Sequence, residues 1–190
     1  ASRGEYLNGK IMADYLGFTF VDPAEMIRFD GNGQFDAEIT EALVAKRLKD
    51  VTEAVVPGFY GAKENGEIKT FSRGGSDITG SIIAGALDVE LYENWTDVSG
   101  VMVTDPRIIN NPKSIDTITY RELRELSYMG ATVLHEDAIF PVRKAGIPIN
   151  IKNTNAPEED GTMIVEDTCK KPPYTITGIA GKKGFLILIG

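Results

Sequence analysis

The run Phe71 to Asp77, FSRGGSD, concentrates groups suited to holding an anion. Gly74 and Gly75 let the backbone turn sharply and come close to a ligand. Ser76 and Asp77 stand where they can cap a following helix, whose free N–H groups and dipole favour negative charge. Arg73 adds a planar guanidinium that matches a carboxylate or a phosphate. These residues fit two structures: a capped strand-to-helix turn with a surface arginine, or a cradle for an anionic ligand. No G-x-x-x-x-G-K-[ST] run is present, which excludes a Walker A loop.

A second stretch, NWTDVSG, places Thr96 and Asp97 at the end of an expected strand, the edge at which open α/β sheets bind ligands. Asp97 either bonds its own turn or meets the ribose or base of a purine nucleotide, with Asp105 and Arg107 on the loop that follows. Glu5 in RGEYLNG lies near a helix start, where the dipole stabilises it in any case; its other use is as partner to a substrate ammonium. His135 is the single histidine and cannot build a His-rich metal site. It reads as structural or as a local hydrogen-bond donor. Cys169 has nothing around it that suggests a catalytic dyad, and Lys182-Lys183 reads as an exposed turn.

The chain has 190 residues with 42% hydrophobic and 25% charged, a globular composition. Its net charge of -8, from 28 acidic and 20 basic residues, argues against broad nucleic-acid binding. A local phosphate site remains compatible with that balance. One cysteine allows no internal disulfide and fits a reducing compartment. No apolar run approaches the ~18 residues of a membrane helix.

These residues need elements to position them. Leu7, Ile11, Met12 and Leu16 recur at helical spacing before Gly17, so a helix with that face inward is expected. FTFVD is a short strand. FDGNGQFD is a turn-rich link with Gly31 and Gly33 at positive φ. A second helix over AEITEALVAKRLKD faces Leu43, Val44 and Leu48 inward. Val55-Val56 is a strand stopped by Pro57-Gly58, and Asn65-Gly66 is a hairpin turn. Residues 76 to 88 form a small-residue helix suited to close packing, and VELYENWTDV is the next strand. SGVMVTDPRIINNP is a loop. Thr119 and Glu122 form a capping box for a helix over YRELRELSYMG. HEDAIFPVRKAG is a helix kinked by Pro141 and closed by Gly146. IPINIKN and DGTMIV are strands. This alternation predicts an α/β fold with a largely parallel sheet. EDTCKKPPY reads as a stiff linker, and TITGIAGKKGFLILIG as the first strand of another domain.

Taken in order, RGEYLNG, VPGFYG, FSRGGSD, NWTDVSGV, TDPR, ITYRELRELSYMGATVLHEDAIFPV and IPINIKNT resemble the aspartate kinases of the amino-acid kinase family. ITGIAGKKGFLIL resembles the first strand of the ACT regulatory domain that follows their catalytic domain. The resemblance implies the C-terminal part of an amino-acid kinase (carbamate kinase-like) catalytic domain over residues 1–166, with helices on both faces of the sheet. A linker over 167–174 and the start of an ACT-like α+β domain over 175–190 would follow. It implies phosphorylation of the β-carboxylate of L-aspartate by ATP with Mg²⁺, in a cytoplasmic enzyme of lysine, threonine and methionine synthesis, homo-oligomeric in its full-length form.

By that resemblance, Glu5 binds the substrate ammonium, Phe59 lines the aspartate pocket, and Arg73 clamps a substrate carboxylate with Gly74, Gly75 and Ser76 around it. Asp77 organises the catalytic centre. Thr96 and Asp97 contact the nucleotide, and Arg107 reaches its phosphates. Met102 and Thr132 occupy nucleotide-side positions where relatives commonly carry a tyrosine and a lysine. The family's lysine- and glycine-rich KFGGT-like opening has no counterpart here, so the chain is expected to be a fragment with little activity alone. Two other functions stay open: another family member acting on glutamate, acetylglutamate or a nucleoside monophosphate, or a non-catalytic nucleotide-binding module. Aspartate-specific protection separates the first, and titration with MgATP followed by aspartate separates the second.

Overall fold

Helix α1 spans Ser2–Leu16 and stops at Gly17, whose φ of 73° is left-handed, as a C-cap requires. Its expected inward face is on the outside. Leu7, Ile11, Met12 and Leu16 are all exposed, and the buried positions are Gly9 and Ala13. The reason is a close approach. A Cβ on Gly9 would stand 2.5 Å from Pro57 Cγ and 3.3 Å from Phe20 Cε2, so only a small-residue face fits there. Tyr6 meets Phe20 edge-on at 5.3 Å. Strand β1 (Thr19–Phe20) pairs in parallel with β4 (Ala54–Val55) beneath this helix.

The computed structural model describes residues 2–72, 75–105, 107–128, 134, 136–167 and 176–181. They form two compact units, Ala1–Val89 with Asp137–Ala145, and Glu90–Glu136 with Gly146–Gly190. In the first, a four-stranded sheet runs in the order β3 (Phe35–Asp36), β2 (Arg28–Phe29), β5 (Tyr60–Lys63), β6 (Ile68–Thr70). The stretch expected as a link, FDGNGQFD, is the turn of the β2–β3 hairpin. Gly33 alone of its glycines takes positive φ, at 78°, because Asp30 closes the turn by accepting the N–H groups of Gly33 and Gln34. The β5–β6 hairpin turns at Asn65-Gly66 as expected, with Gly66 at φ 83°.

Helix α2 (Ala37–Leu48) is capped by Asp36, whose carboxylate accepts the Ile39 N–H at 3.0 Å. It buries Val44 and Leu48 with Val21, Met26, Ile27 and Phe29, and Leu43 packs at the edge of that core. Rings of Phe29, Phe35 and Phe71 meet at 5.0 to 6.3 Å and close one side. Helix α3 (Gly75–Leu87) comes close to α5 (Glu136–Lys144) where a Cβ on Gly85 would lie 3.2 Å from the Pro141 carbonyl oxygen. Pro141 sits inside α5, and the Val142 N–H beside it donates to the buried Ser81 Oγ at 3.3 Å.

The second unit is built on a sheet ordered β7 (Tyr92–Thr96), β9 (Ile149–Asn153), β10 (Thr162–Val165), β8 (Thr117–Thr119). Alternation buries Asn94, Ile149, Ile151, Ile164 and Ile118 on one face. Across both units the parallel pairs are β1–β4, β2–β5, β7–β9 and β8–β10; antiparallel pairing joins β2–β3, β5–β6 and β9–β10. The capping box forms as expected. Glu122 accepts the Thr119 N–H at 2.9 Å, Thr119 Oγ1 accepts the Glu122 N–H at 3.2 Å, and α4 (Tyr120–Tyr128) follows.

Between β7 and β8 the chain makes a long excursion whose feet are tied to each other, the Ile115 N–H donating to the Val101 carbonyl at 2.8 Å, and to β10 by one hydroxyl. Thr162 Oγ1 accepts the Val101 N–H at 2.8 Å and donates to the Ile115 carbonyl at 2.6 Å. Further out, the Val103 N–H donates to the Lys113 carbonyl at 2.9 Å. Residues 176–181 lie against this excursion without regular structure. Ile179 N–H donates to the Val103 carbonyl, and Thr177 Oγ1 donates to Glu122 at 2.6 Å. Residues 176–181 of the stretch expected as a strand are thus not one; Arg73, Gly74, Thr132, His135, Cys169, most of the expected linker and residues 182–190 of that stretch, Lys182-Lys183 included, lie outside the described residues.

Candidate functional site

Within the first unit, two close approaches bring sequence-distant residues together. The loop Pro57-Gly58-Phe59 is gripped on one side by α1 through Gly9, and on the other by the first turn of α3. A Cβ on Gly58 would stand 2.7 Å from both Cα and Cβ of Ser76. The elements that carry Glu5, exposed in the first turn of α1, Phe59 on the loop, and Gly75, Ser76 and Asp77 at the start of α3 are thereby packed together. Gly75 has φ 43° as the chain enters the helix, and Ser76 is exposed while Asp77 is half-buried. The first turn of α3 offers backbone N–H groups and the positive end of the dipole at this point.

Phe59 is the conformational outlier of this assembly. Its φ of 65° is left-handed, a region that a bulky aromatic adopts at a cost on the order of 1–3 kcal/mol. Three features hold it there. Its N–H donates to Thr79 Oγ1 at 2.9 Å, its carbonyl accepts the Phe71 N–H at 2.9 Å, and Gly58 is wedged on Ser76. Next to it Tyr60 is buried and donates to the Asp22 carboxylate at 3.0 Å. Burial, then the Asp22 hydrogen bond and charge, push its phenol above the usual range. Sequence reasoning missed Gly9, Gly58 and Thr79. The polar residues Thr79 and Ser81 among the small and apolar ones of this helix were the available signal for the last.

In the second unit, β7 ends at Thr96, as expected, and its carbonyl accepts both the N–H and the hydroxyl of Thr154, at 2.8 and 2.9 Å. Thr96 Oγ1 donates to the exposed Asp97 carboxylate at 3.2 Å. Asn153, at the end of the adjacent parallel strand β9, donates to Ser99 Oγ at 2.8 Å and steadies the same turn. Carbonyls and hydroxyls of two parallel strands thus converge at their carboxyl ends, the ligand-binding edge of an open sheet. Trp95 is 44% exposed beside them, with Lys152 Nζ 5.2 Å from its ring centroid.

Met102 lies near the base of the excursion and bridges to Ser114. Arg107 stands further along it with 80% of its side chain exposed, and forms a close pair with Asp105 at 2.6 Å. The arginine holds the Asp105 carboxyl below its usual range, and the carboxylate in turn raises the guanidinium. Such an exposed pair is cheap to open, which leaves Arg107 available to a stronger anion.

The family model described as the amino acid kinase family matches residues 1–153. The chain belongs to that family. Aspartokinase 3 of Bacillus subtilis (strain 168) is 42% identical over 195 residues, covering 97% of this chain and 42% of that protein. Among solved structures, the aspartate kinase of Clostridium acetobutylicum is 59% identical with a TM-score of 0.89, over 94% of this chain and 41% of its own. Aspartokinase III of E. coli, solved in complex with aspartate and ADP, is 29% identical with a TM-score of 0.78, over 88% of this chain and 40% of its own. The chain spans about two-fifths of the length of these relatives. This family member therefore carries the amino-acid kinase fold, with Glu5, Phe59, Gly75, Ser76 and Asp77 in one compact unit and Thr96, Asp97, Met102 and Arg107 in the other.

Proposed function

We propose that the protein carrying this chain is an aspartate kinase that transfers the γ-phosphoryl group of ATP to the β-carboxylate of L-aspartate. The observation that supports it most directly is the first-unit assembly, in which the Gly9–Pro57 and Gly58–Ser76 approaches join the elements bearing Glu5, Phe59 and Ser76-Asp77. A small amino acid needs such a set: a carboxylate for its ammonium, an apolar wall, and a helix N-terminus with an arginine for its carboxylates.

The acceptor carboxylate is ionised at neutral pH and needs no general base. The barrier lies in bringing it up to a polyanionic nucleotide, so positioning and positive charge carry the catalysis. In this reading Arg73 and the first turn of α3 hold the substrate carboxylate, and Glu5 orients the ammonium. Thr96 and Asp97 hold the nucleoside, Arg107 turns from Asp105 to the phosphates, and Met102 and Thr132 flank it. Asp77 orients a cationic group beside the transferring phosphoryl. Among the described residues no group of three or more His, Cys, Asp or Glu could hold a metal. Single carboxylates such as Asp77 suit Mg²⁺ carried mainly by phosphates. When bound, that ion neutralises charge on the β- and γ-phosphates. The same resemblance carries homo-oligomeric assembly and a cytoplasmic setting into the proposal.

ADP release from MgATP, measured with each acceptor on the protein expressed from its complete reading frame and with hydroxylamine trapping to identify aspartyl phosphate, tests the reading. Turnover with MgATP and L-aspartate, and none with L-glutamate, N-acetylglutamate or UMP, is expected. Preferential turnover of one of those other acceptors would overturn it.

A further inference from the structure

Among the described non-glycine residues, Asp88, Asn111 and Phe59 take positive φ, and only the last is a bulky ring. Aspartate and asparagine tolerate that conformation through local hydrogen bonds; an aromatic residue has no such compensation. A strained residue at a candidate site persists only where its surroundings over-determine it. The clamp is Thr79, itself 2% exposed, whose Oγ1 lies 2.9 Å from the Phe59 nitrogen. Ser76 and Thr79 are three residues apart on α3 and therefore share a face. The loop is laid along that face in register, Gly58 on Ser76 and Phe59 on Thr79.

We propose that Thr79 is a positioning residue for the acceptor amino acid: its hydroxyl locks Phe59 in the left-handed conformation and so fixes the pocket wall against the first turn of α3. The inference rests on the reading of Phe59 as a wall of the acceptor site. Its hydroxyl is well suited to the task. Buried on a rigid helix, it accepts an N–H that would otherwise be left without a partner. Removing it leaves the Phe59 N–H without that acceptor and takes away one of the three features that hold the ring at positive φ, so the wall loosens. The nucleotide-side residues belong to the other unit and should not register the change.

Thr79→Val removes the hydroxyl at constant shape, and Thr79→Ser keeps it. In the protein from its complete reading frame, Thr79→Val is expected to raise the KM for L-aspartate about tenfold, equivalent to ~1.4 kcal/mol, and to move the KM for MgATP less than about twofold. Thr79→Ser should stay within about twofold of wild type for both. Amide hydrogen exchange provides a readout independent of turnover: the Phe59 N–H should be slow in wild type and Thr79→Ser and fast in Thr79→Val. Equal changes in both KM values, a serine variant as impaired as the valine one, or unchanged Phe59 exchange in Thr79→Val would each overturn the proposal. If Thr79→Val does not fold, Thr79→Ala carries the same comparison. If wild type prefers another acceptor, the aspartate reading fails, while the exchange data and the KM for that acceptor still decide the role of Thr79.

Discussion

Replacing Gly58 by alanine puts a methyl carbon 2.7 Å from both Cα and Cβ of Ser76. Carbon atoms rest at ~3.5–4.0 Å, so the loop or the first turn of α3 must retreat by about 1 Å. Neither neighbour is the tip of a flexible side chain, and the Ser76 Cα is helix backbone, so the strain has no easy outlet. Overpacking of this kind costs about 1–3 kcal/mol. At ~2 kcal/mol, the Tm of a protein this size falls by about 4–8 °C. The same displacement moves Phe59 relative to Ser76 and Asp77, and a misplacement of about 1 Å can cost a catalytic site on the order of a hundredfold. Gly4→Ala is the control. Nothing lies within 4 Å of a Cβ there, and alanine in a helix gains ~0.5–1 kcal/mol over glycine. Thermal unfolding followed by circular dichroism, with KM for aspartate measured on the same proteins, separates the two. A Gly58→Ala protein that melts with wild type and keeps its aspartate KM would show that the loop does not rest on Ser76.

Glu122 gives a pH signature. Burial pushes its carboxyl up, but bonds from Thr177 Oγ1, the Thr119 N–H and Thr119 Oγ1 outweigh it and hold its pKa below the usual range. Because the native pKa is the lower one, this stabilisation is full above the unfolded value of ~4.3 and lost as pH falls through the native one. Glu122→Gln should be less stable than wild type by about 1 kcal/mol at pH 7, with the gap closing toward pH 3; denaturant unfolding at both pH values reads it, and a gap unchanged at pH 3 would contradict the assignment. Arg107→Ala should raise the KM for MgATP several-fold while leaving the Tm and the aspartate KM in place, as its exposed pair with Asp105 contributes little to folding. A fall in Tm with an unchanged nucleotide KM would make Arg107 structural instead.

Local signals in the sequence carried much of this architecture. The Thr119–Glu122 box, the Asn65-Gly66 turn, the Gly17 and Gly146 stops and the end of β7 at Thr96 each depend on neighbours a few residues apart, and each formed where expected. What failed depended on contacts across the chain. The apolar periodicity of α1 is real, yet the buried face is the one carrying Gly9 and Ala13, because close approach to Pro57 selects size over hydrophobicity. Strands β2 and β8 have two and three residues and too little sequence to show a period. The chemistry of the candidate site followed the same division. Residue types in RGGSD and WTDV were legible one by one, whereas the bond from Phe59 to Thr79 spans 20 positions and exists only once the loop lies on the helix.

The Thr162 hydroxyl has a consequence for how this fold tolerates change. It joins Val101 to Ile115, the two feet of the excursion between β7 and β8, and a Cβ on Gly100 would collide with it. With both feet pinned to β10, the base of the excursion keeps its spacing. Extra residues inserted near Ile108 and Ile109, which are exposed, would cost chiefly chain entropy, roughly 0.6 kcal/mol for each doubling of the loop. The excursion is thus a place where the fold tolerates a change of length, because the strands it joins are held at its feet.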